Sequence, residues 1–237
     1  MNKIPGDQEL PLIEHIRELR SRMIIVVSVL IFTLIFAFPF SGNLIEIIWN
    51  DLIPQNIDMV VYTPLEWMIT RLMLSLVICA AIVVPIIIYE LYAFMAKGLY
   101  PSEKRFFLKV VPISLLLFLI GAGIAYYIVI PLIYNFMILY SQDVAASGLS
   151  VKLTFSVVST MLIVFGLLFQ LPLLVIFSIK SGLVKQQQLK DKRVFVYGIL
   201  VAFALFVAPD ITGMSQLIMA FFLLILFEAS LLMGRFI

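Results

Sequence analysis

Charged side chains are concentrated in the segment Leu10–Arg22, directly before the first long apolar run of the chain. Its last nine residues include six with ionisable groups: Glu14, His15, Arg17, Glu18, Arg20 and Arg22. Three of them, His15, Glu18 and Arg22, follow one another at i, i+3 and i+7 and therefore share one face of a helix. A carboxylate presented on this face could recognise a cationic ligand. The alternative is structural, since basic residues before a membrane span commonly fix its orientation and a Glu–Arg pair on a helix contributes only a few tenths of a kcal/mol.

Few residues in the rest of the chain could support catalysis. The single histidine, His15, precedes the apolar runs, which excludes a serine–histidine dyad within them and argues against a histidine metal site. The sequence contains no Gly-x-x-x-x-Gly-Lys-Ser/Thr phosphate loop, so nucleotide hydrolysis by that route is excluded. We therefore expect no enzyme activity, no catalytic residue, no metal and no cofactor. Any work that the protein supports must draw on a gradient or on a partner.

The composition is that of a polytopic membrane protein. Of the 237 residues, 63% are hydrophobic and 13% are charged, whereas soluble domains carry about 25% charged residues. Four apolar runs reach the roughly 18 residues that a membrane span needs, and two more are shorter. The fold class is therefore predicted to be an all-α integral membrane protein. We expect residues 1–237 to form a single polytopic membrane domain.

Six transmembrane helices are predicted, with the last two short, in a concave helical bundle. An amphipathic segment, residues 1–22, precedes spans at about 23–40, 67–95, 107–130, 153–179, 194–208 and 214–234. Pro39 is expected to end the first span, ahead of a short interfacial helix over 44–52, and Pro131 is expected to end the third. The fifth segment has only 15 residues, or about 22 Å at 1.5 Å per residue, against a hydrocarbon core of about 30 Å. A locally thinned bilayer is expected around it.

The distribution of basic residues predicts the orientation. All of the sixteen lysines and arginines except Arg71 and Lys152 fall within or beside the N-terminal segment, the second and fourth connections, or the C-terminus. By the positive-inside rule these parts are cytoplasmic. The connection between the first and second spans holds acidic residues and no basic one, which fits the outer side. Both termini are therefore expected in the cytoplasm.

Two polar residues lie deep in apolar runs, Gln170 in the fourth and Glu228 in the sixth. Polar groups in a membrane are commonly functional, because an ionised group in hydrocarbon costs several kcal/mol unless it is paired or wetted. Arg71 and Glu90 lie near helix ends, where long side chains can reach the interface, so we interpret them as structural.

Two prolines, Pro85 in the second span and Pro172 in the fourth, are expected to kink their helices. The kinked spans, together with the buried Gln170 and Glu228, leave a second function open, a secondary transporter of a small solute or ion. A third class, an intramembrane hydrolase, lacks the residues for its chemistry.

Four short motifs occur in a characteristic order and spacing. They are His15–Arg22 (HIRELRSR), Leu99–Arg105 (LYPSEKR), Phe169–Pro172 (FQLP) and Ala208–Asp210 (APD). Together they make the chain resemble the TatC family, the multispanning component of the twin-arginine, or Sec-independent, protein translocase. The resemblance extends from about Leu12 to Arg235 and includes the number of spans and the loop lengths.

The resemblance implies a receptor rather than an enzyme. Members of the family bind the twin-arginine signal peptides of folded precursor proteins and gather single-span partners of the TatA and TatB types for transport driven by the proton gradient. Self-association within the translocase complex is also implied, in the lipid bilayer of the plasma or inner membrane, with no nucleic acid as a partner. The residues that match the family's signal-peptide-binding region are Glu18, Arg20, Arg22, Phe94 and Glu103.

Other matched positions lie elsewhere in the chain. Asp210 and Gln216 match polar residues of the last outer turn, and Pro85 matches a proline of the second span. Gln170 departs from the family, which often has a glutamate at this position on the concave face of the spans. A glutamine exchanges hydrogen bonds but does not titrate. We therefore expect Gln170 to face the thinned region in a polar, water-wetted role rather than a proton-linked one.

Overall fold

The computed structural model describes residues 12–53, 57–95, 101–141, 148–180, 182–208 and 213–234. These ranges are almost entirely helical. The helices are, in chain order, α1 (Leu12–Leu52), α2 (Pro64–Met95), α3 (Pro101–Ile124), α4 (Ile130–Ser141), α5 (Val151–Leu168), α6 (Leu171–Lys180), α7 (Gln186–Asp191), α8 (Arg193–Val207) and α9 (Met214–Met233). A π-helical turn, Ala125–Val129, joins α3 to α4, and the described residues also contain two strands, β1 (Asp58–Val60) and β2 (Gly148–Ser150). The predicted all-α fold class is confirmed.

Within the described ranges, the apolar helices agree in number and place with most of the predicted segments. Five stretches are long and apolar enough to cross a membrane: Ile16–Leu52, Pro64–Leu91, Val110–Phe136, Val151–Lys180 and Met214–Met233. The fifth predicted segment is found as α8, an apolar helix of 15 residues, or about 22 Å. α9 has 20 residues, so it is longer than α8 but shorter than α1 and α2. Large apolar side chains such as Phe32, Phe36 and Phe206 are exposed, which suits contact with lipid.

The first helix does not end at Pro39. α1 runs unbroken for 41 residues, so the predicted helix end is wrong and the expected interfacial helix over 44–52 is the C-terminal part of α1. Arg71 of α2 stabilises the chain at this point. Its Nη2 donates to the carbonyl oxygens of Phe38 and Pro39 at 3.3 Å, and its guanidinium lies 4.9 Å from the Phe38 ring centroid. Ser41 also donates to the Phe38 oxygen, at 2.6 Å, so its side chain bonds back to the helix instead of breaking it.

Pro131 likewise does not end the third helix, so that prediction is also wrong. The chain passes from α3 through the π-helical turn into α4, which ends only at Ser141. The N–H of Ile130 donates to the carbonyl oxygen of Ala125, five residues back instead of four. This wider turn accommodates Pro131, which has no N–H and would crowd a regular helix. The connection that was expected from Pro131 onwards is therefore helical at first.

The fourth predicted span is two helices rather than one. α5 ends at Leu168, Phe169 and Gln170 form a turn, and α6 starts at Leu171. Pro172 lies in the first turn of α6, where a proline is tolerated because the N–H groups of a first turn have no partner within the helix. The irregularity at Pro172 is thus a break between two helices rather than a bend within one.

Pro85 lies inside a continuous helix. α2 runs past it to Met95, and the proline is buried. The neighbouring side chains Val84 and Ile88 pack in an apolar cluster with Phe118 of α3 and Leu173 of α6. This packing holds α2 against two other helices at the place where Pro85 removes one backbone hydrogen bond. The kink expected at Pro85 stays a prediction.

α5 lies at the centre of the core. Its side chains Phe155, Val158, Met161 and Phe165 are completely buried in one hydrophobic cluster. Members of that cluster from other helices include Ile45 and Trp49 of α1, Leu74 of α2, Ile133 of α4 and Leu223 of α9. The helices that carry charged and polar site residues are therefore held in place by their packing on α5.

Two glycines allow the close approach of α3 and α5. A Cβ atom on Gly121 would lie 2.4 Å from the carbonyl oxygen of Phe165, and one on Gly166 would lie 2.4 Å from the Phe118 ring. Neither position has room for a side chain unless its neighbours move. Small residues at such crossings let membrane helices pack backbone to backbone.

β1 and β2 form a parallel pair that joins two connections far apart in sequence. Asp58 lies opposite Gly148, and Val60 lies opposite Ser150. Sequence reasoning did not predict these strands, because three-residue segments are too short to show a period of two. The pair ties the connection before α2 to the start of α5.

Candidate functional site

The N-terminal part of α1 and the C-terminal part of α2 meet through one arginine and two carboxylates. The Arg22 guanidinium donates from Nη2 and Nε to the same oxygen of Glu18, Oε1, at 2.7 and 3.2 Å. Its Nη1 donates to Oε2 of Glu90 at 2.7 Å. Glu18, Arg22 and Glu90 are called the carboxylate–arginine cluster below. Because Glu90 is 68 residues away from Arg22 in sequence, the cluster joins two helices that local spacing does not connect.

The carboxylate–arginine cluster is only partly solvated. The exposed fractions of its side chains are 16% for Glu18, 20% for Arg22 and 13% for Glu90. Charge pairs at this depth are screened less than pairs in open water, which typically contribute about 0–1 kcal/mol. The cluster therefore places two carboxylates, the acceptor groups that suit a cationic ligand, at this end of the α1–α2 pair.

An apolar groove of about 170 Å³ adjoins the cluster. Its lining contains Arg22 and Glu90 together with apolar side chains of both helices, including Leu19, Met23, Val27, Ile87, Leu91 and Phe94. A cavity of about 150 Å³ holds a benzene ring, so this groove has room for one apolar side chain. Charge and apolar surface thus lie next to each other at one end of the α1–α2 pair.

The structure brings some of the predicted binding residues together. Glu18 and Arg22 belong to the cluster, and Phe94 lines the groove. Arg20 is exposed. Glu103 lies in the first turn of α3, which follows α2 after a short connection, but its side chain is outside the described residues. The roles that the sequence assigns to these residues stay predictions.

Glu90 is the site residue that sequence reasoning missed. It was interpreted as a structural residue near a helix end, and its pairing with Arg22 adds it to the carboxylate–arginine cluster. The pairing could not be read from local spacing, because the i, i+4 pattern already gives Arg22 a partner in Glu18. The signal available was that Glu90 is the only charged residue between positions 72 and 95, within an otherwise apolar helix.

Gln170 lies in the core rather than on a water-facing surface, and the residue is 3% exposed. Its Oε1 accepts from the Ser114 hydroxyl at 2.7 Å. Its Nε2 donates to the backbone oxygens of Ser114 and Gly166 at 3.1 and 3.2 Å. The expectation of a water-wetted Gln170 is therefore wrong, because protein groups take the hydrogen bonds that water was expected to take. Its position relative to a thinned bilayer stays a prediction.

Glu228 connects α9 to the short helix α8. Its carboxylate accepts a hydrogen bond from the Tyr197 hydroxyl and lies 3.4 Å from Nη2 of Arg193. The Tyr197 ring also packs edge to face against Phe227, with 5.9 Å between the ring centroids. These contacts hold α8 against its neighbour and give Glu228 a structural role. A further functional role for Glu228 stays a prediction.

The predicted outer-turn residues are only partly described. Gln216 lines a cavity of about 390 Å³ together with residues of three helices: Phe136 of α4, Val201 and Leu205 of α8, and Met214 and Leu217 of α9. Asp210, which was predicted to accompany Gln216, lies outside the described residues. Gln216 therefore places a polar group in an otherwise largely apolar cavity at the start of α9.

Comparison with known families decides the identity of the fold. The model of the family described as Sec-independent protein translocase protein (TatC) matches residues 14–221. The chain belongs to the TatC family. The match includes the carboxylate–arginine cluster, Gln170 and Gln216.

Relatives of this TatC chain match it along nearly its whole length. A Sec-independent protein translocase protein TatC of Methanocella arvoryzae is 42% identical over 233 residues, which cover 98% of this chain and 97% of the relative. TatC of Aquifex aeolicus is 33% identical, in an alignment that covers 95% of this chain and 95% of that relative. TatCo of Haloferax volcanii is 32% identical, in an alignment that covers 95% of this chain and 57% of that relative.

A solved structure shares the TatC fold described here. It is a crystal structure of the twin-arginine translocase receptor TatC in DDM, which superposes with a TM-score of 0.81 at 31% sequence identity. The superposition covers 93% of this chain and 99% of that chain. Both the helical architecture and its order along the chain are therefore common to the two proteins.

TatC membership establishes the general function. The chain is a component of a Sec-independent protein translocase, and its apolar helices are those of a multi-pass membrane protein. Its role in transport is non-enzymatic, in agreement with the prediction from sequence. Membership also places the chain in a translocase complex within a membrane.

Proposed function

We propose that this protein is the signal-peptide receptor of its translocase and binds the twin-arginine signal peptides of folded precursor proteins on its cytoplasmic side. The carboxylate–arginine cluster carries the proposal, because it sets two carboxylates against one guanidinium beside an apolar groove. The first turn of α3, which holds Glu103, follows α2 after a short connection. The binding face is then formed by the N-terminal part of α1, the C-terminal part of α2 and the start of α3.

The chemistry of a twin-arginine peptide matches such a face. Two adjacent arginines present two planar, permanently charged groups, and a carboxylate accepts a guanidinium through two parallel hydrogen bonds. Glu18 and Glu103 provide the carboxylates, and Phe94 provides apolar surface beside them. Arg20 and Arg22 repel simple cations that lack this geometry. Lysine presents a point charge and forms a weaker match.

We also propose the membrane orientation that the distribution of basic residues predicts. Both termini are cytoplasmic, and α8 is the short fifth of six spans in the plasma or inner membrane. A 22 Å helix in a hydrocarbon core of about 30 Å thins the bilayer locally at a modest cost per Å. The connection that contains β1 is then on the outer side.

Single-span partners of the TatA and TatB types complete the proposed translocase. The cavity that Gln216 lines provides a polar contact on the outer side, where a single-span helix with a polar group can bind. Copies of the receptor also associate with one another. The proton gradient drives transport, since the sequence has no phosphate loop for nucleotide hydrolysis.

Binding of a fluorescent twin-arginine peptide to the full chain in lipid nanodiscs tests the receptor function. We expect Glu18→Ala and Glu103→Ala each to weaken binding by about tenfold or more, since a hydrogen bond to a charged group contributes roughly 1.5–3 kcal/mol. A twin-lysine peptide should also bind more weakly to the unmodified protein. All measurements use one salt concentration, because screening changes with ionic strength.

Glu46→Ala is the matched control. Glu46 is an exposed carboxylate of α1, on the same helix as Glu18 but far from the cluster, so its loss should not change peptide affinity. Unchanged affinity in both Glu18→Ala and Glu103→Ala would remove these residues from the site. Equal affinity of the unmodified protein for twin-arginine and twin-glutamine peptides would end the receptor proposal.

The two polar residues that supported the transporter alternative have protein partners in the structure. The Gln170 side chain forms hydrogen bonds with Ser114 and Gly166. The Glu228 carboxylate accepts a hydrogen bond from Tyr197 and forms an ion pair with Arg193. Uptake of a solute by liposomes that contain only this chain would restore the alternative.

A further inference from the structure

We propose that the groove between α3, α6 and α9 binds one hydrocarbon chain of an anionic membrane lipid, with the lipid phosphate at the basic connection between α6 and α8. The groove is lined by residues of all three helices and by Phe169, which lies at the break between α5 and α6. It is separate from the carboxylate–arginine cluster, which joins α1 to α2. It is called the lipid groove below.

The lipid groove has the size of a short length of hydrocarbon chain. Its volume is about 290 Å³. A cavity of about 150 Å³ holds the six carbons of benzene, so the groove has room for roughly twelve carbon atoms. Along α9 it extends from Leu226 to Met233, a rise of about 10 Å. Leu173 and Leu226 in its lining are buried whereas Ile120 and Met233 are exposed, so a chain can enter from the surrounding lipid.

A hydrocarbon chain fits this lining better than a peptide does. Every lining side chain is apolar, and α3, α6 and α9 pair their backbone groups within each helix. An extended peptide would leave its own backbone groups unpaired there, which is strongly unfavourable in a membrane. A further helix is excluded by size, because a 10 Å length of helix that is about 10 Å across occupies far more than the volume of the groove.

The C-terminal ends of α6 and α9 meet beside the start of α7. A Cβ atom on Gly234, directly after α9, would lie 3.2 Å from Cδ1 of Ile179 and 3.4 Å from Nε2 of Gln186. The same nitrogen of Gln186 donates to the backbone oxygen of Leu231 at 2.8 Å. The end of the lipid groove that contains Met233 is therefore close to the connection between α6 and α8.

This connection is rich in positive charge. Residues 180–193 include five basic residues and one acidic residue. Lys185 is exposed and directly precedes Gln186, so its long side chain can reach a phosphate at the Met233 end of the groove. Basic clusters beside a membrane attract anionic lipid headgroups. An anionic lipid thus matches both the apolar lining and the charge at its end, whereas a zwitterionic lipid matches only the lining.

A photoreactive amino acid at position 176, in the lining of the groove, captures what lies there. The full chain is placed in nanodiscs that contain equal amounts of phosphatidylglycerol and phosphatidylcholine, and the adducts are identified by mass. Position 32 is the reference, because Phe32 is exposed on α1. We expect equal adducts of the two lipids at position 32. At position 176 phosphatidylglycerol should be in excess by about fivefold or more, the effect of at least one lysine near an anionic headgroup.

Two substitutions separate the lipid chain from its headgroup. Ala229→Phe fills the groove and should reduce all lipid adducts at position 176 several-fold, whereas Ala202→Phe adds the same ring at an exposed position of α8 and should not. Lys185→Gln should remove most of the phosphatidylglycerol excess. Lys152→Gln removes the same charge from a different connection, at the start of α5, and should leave the excess unchanged.

Three results would overturn the proposal. The same lipid ratio at positions 176 and 32 would mean that the groove holds ordinary boundary lipid. An excess that survives Lys185→Gln would place the phosphate away from the basic connection, and adducts to a second copy of the chain would make the groove a contact between proteins. Lys185→Gln changes an exposed side chain, so the test stands even where Ala229→Phe does not fold. No signal peptide is used, so none of these results bears on the receptor function.

Discussion

Ser114 and Gln170 exchange two hydrogen bonds in the core, where α3 meets the break between α5 and α6. The Ser114 hydroxyl donates to Oε1 of Gln170 at 2.7 Å, and Nε2 of Gln170 donates to the backbone oxygen of Ser114 at 3.1 Å. An amide fits this place because it combines an acceptor with two donors. A carboxylate would face the oxygens of Ser114 and Gly166 and would need a proton to donate to either.

We predict that Gln170→Glu destabilises the protein more strongly as the pH rises. The protonated acid keeps a donor, whereas the ionised form is buried and points at carbonyl oxygens. Gln170→Leu should lower the free energy of unfolding by about 1–3 kcal/mol at every pH, because it leaves buried polar groups unpaired. Thermal unfolding in detergent at mildly acidic and mildly alkaline pH measures both effects. Equal stability of Gln170→Glu at the two pH values would contradict this account.

Gly121→Ala should lower the free energy of unfolding by about 1–3 kcal/mol, the usual cost of overpacking. The added Cβ would lie 2.4 Å from the carbonyl oxygen of Phe165, a backbone atom that cannot rotate away. Gly123→Ala is the matched control on the same helix, since a Cβ there meets no atom within 4 Å. Thermal unfolding of both variants is compared under identical conditions. A Gly121→Ala variant as stable as Gly123→Ala would show that α3 and α5 do not pack as described.

Cysteine labelling should find Asp58 and Gln187 on opposite sides of the membrane. Both residues are exposed, and the native Cys79 is buried and can be replaced by alanine. A membrane-impermeant maleimide should label Asp58→Cys in intact cells and Gln187→Cys only after the cells are opened, because basic residues accumulate on the cytoplasmic side. Labelling of both positions in intact cells would contradict six spans with cytoplasmic termini.

Sequence reasoning succeeded where one physical requirement dominates. A long apolar run in lipid must pair its backbone groups internally, which leaves the helix as the simplest solution. The second, fifth and sixth predicted segments, at 67–95, 194–208 and 214–234, therefore lie within three residues of the bounds of α2, α8 and α9. The same reasoning finds α8 too short for the hydrocarbon core, because helix length follows directly from residue number.

The failures share a different cause. A proline in the sequence shows that one N–H is missing, but it does not show whether contacts with another helix hold the chain there. Beside Pro39 such a contact comes from Arg71, which is 32 residues away and donates to the Pro39 oxygen. The partner of Glu90 is just as remote, since Arg22 precedes it by 68 residues. Contacts between helices decide these cases, and a periodicity within one helix carries no information about them.

The β1–β2 pair has a consequence for the order in which the molecule can assemble. It closes a loop of chain that contains α2, α3 and α4, and it cannot form until Gly148–Ser150 has been synthesised. The contact between Arg22 and Glu90 needs only α1 and α2, at the opposite end of that helix pair. During synthesis from the N-terminus, the contact between α1 and α2 at the carboxylate–arginine cluster can therefore form before the β1–β2 pair closes.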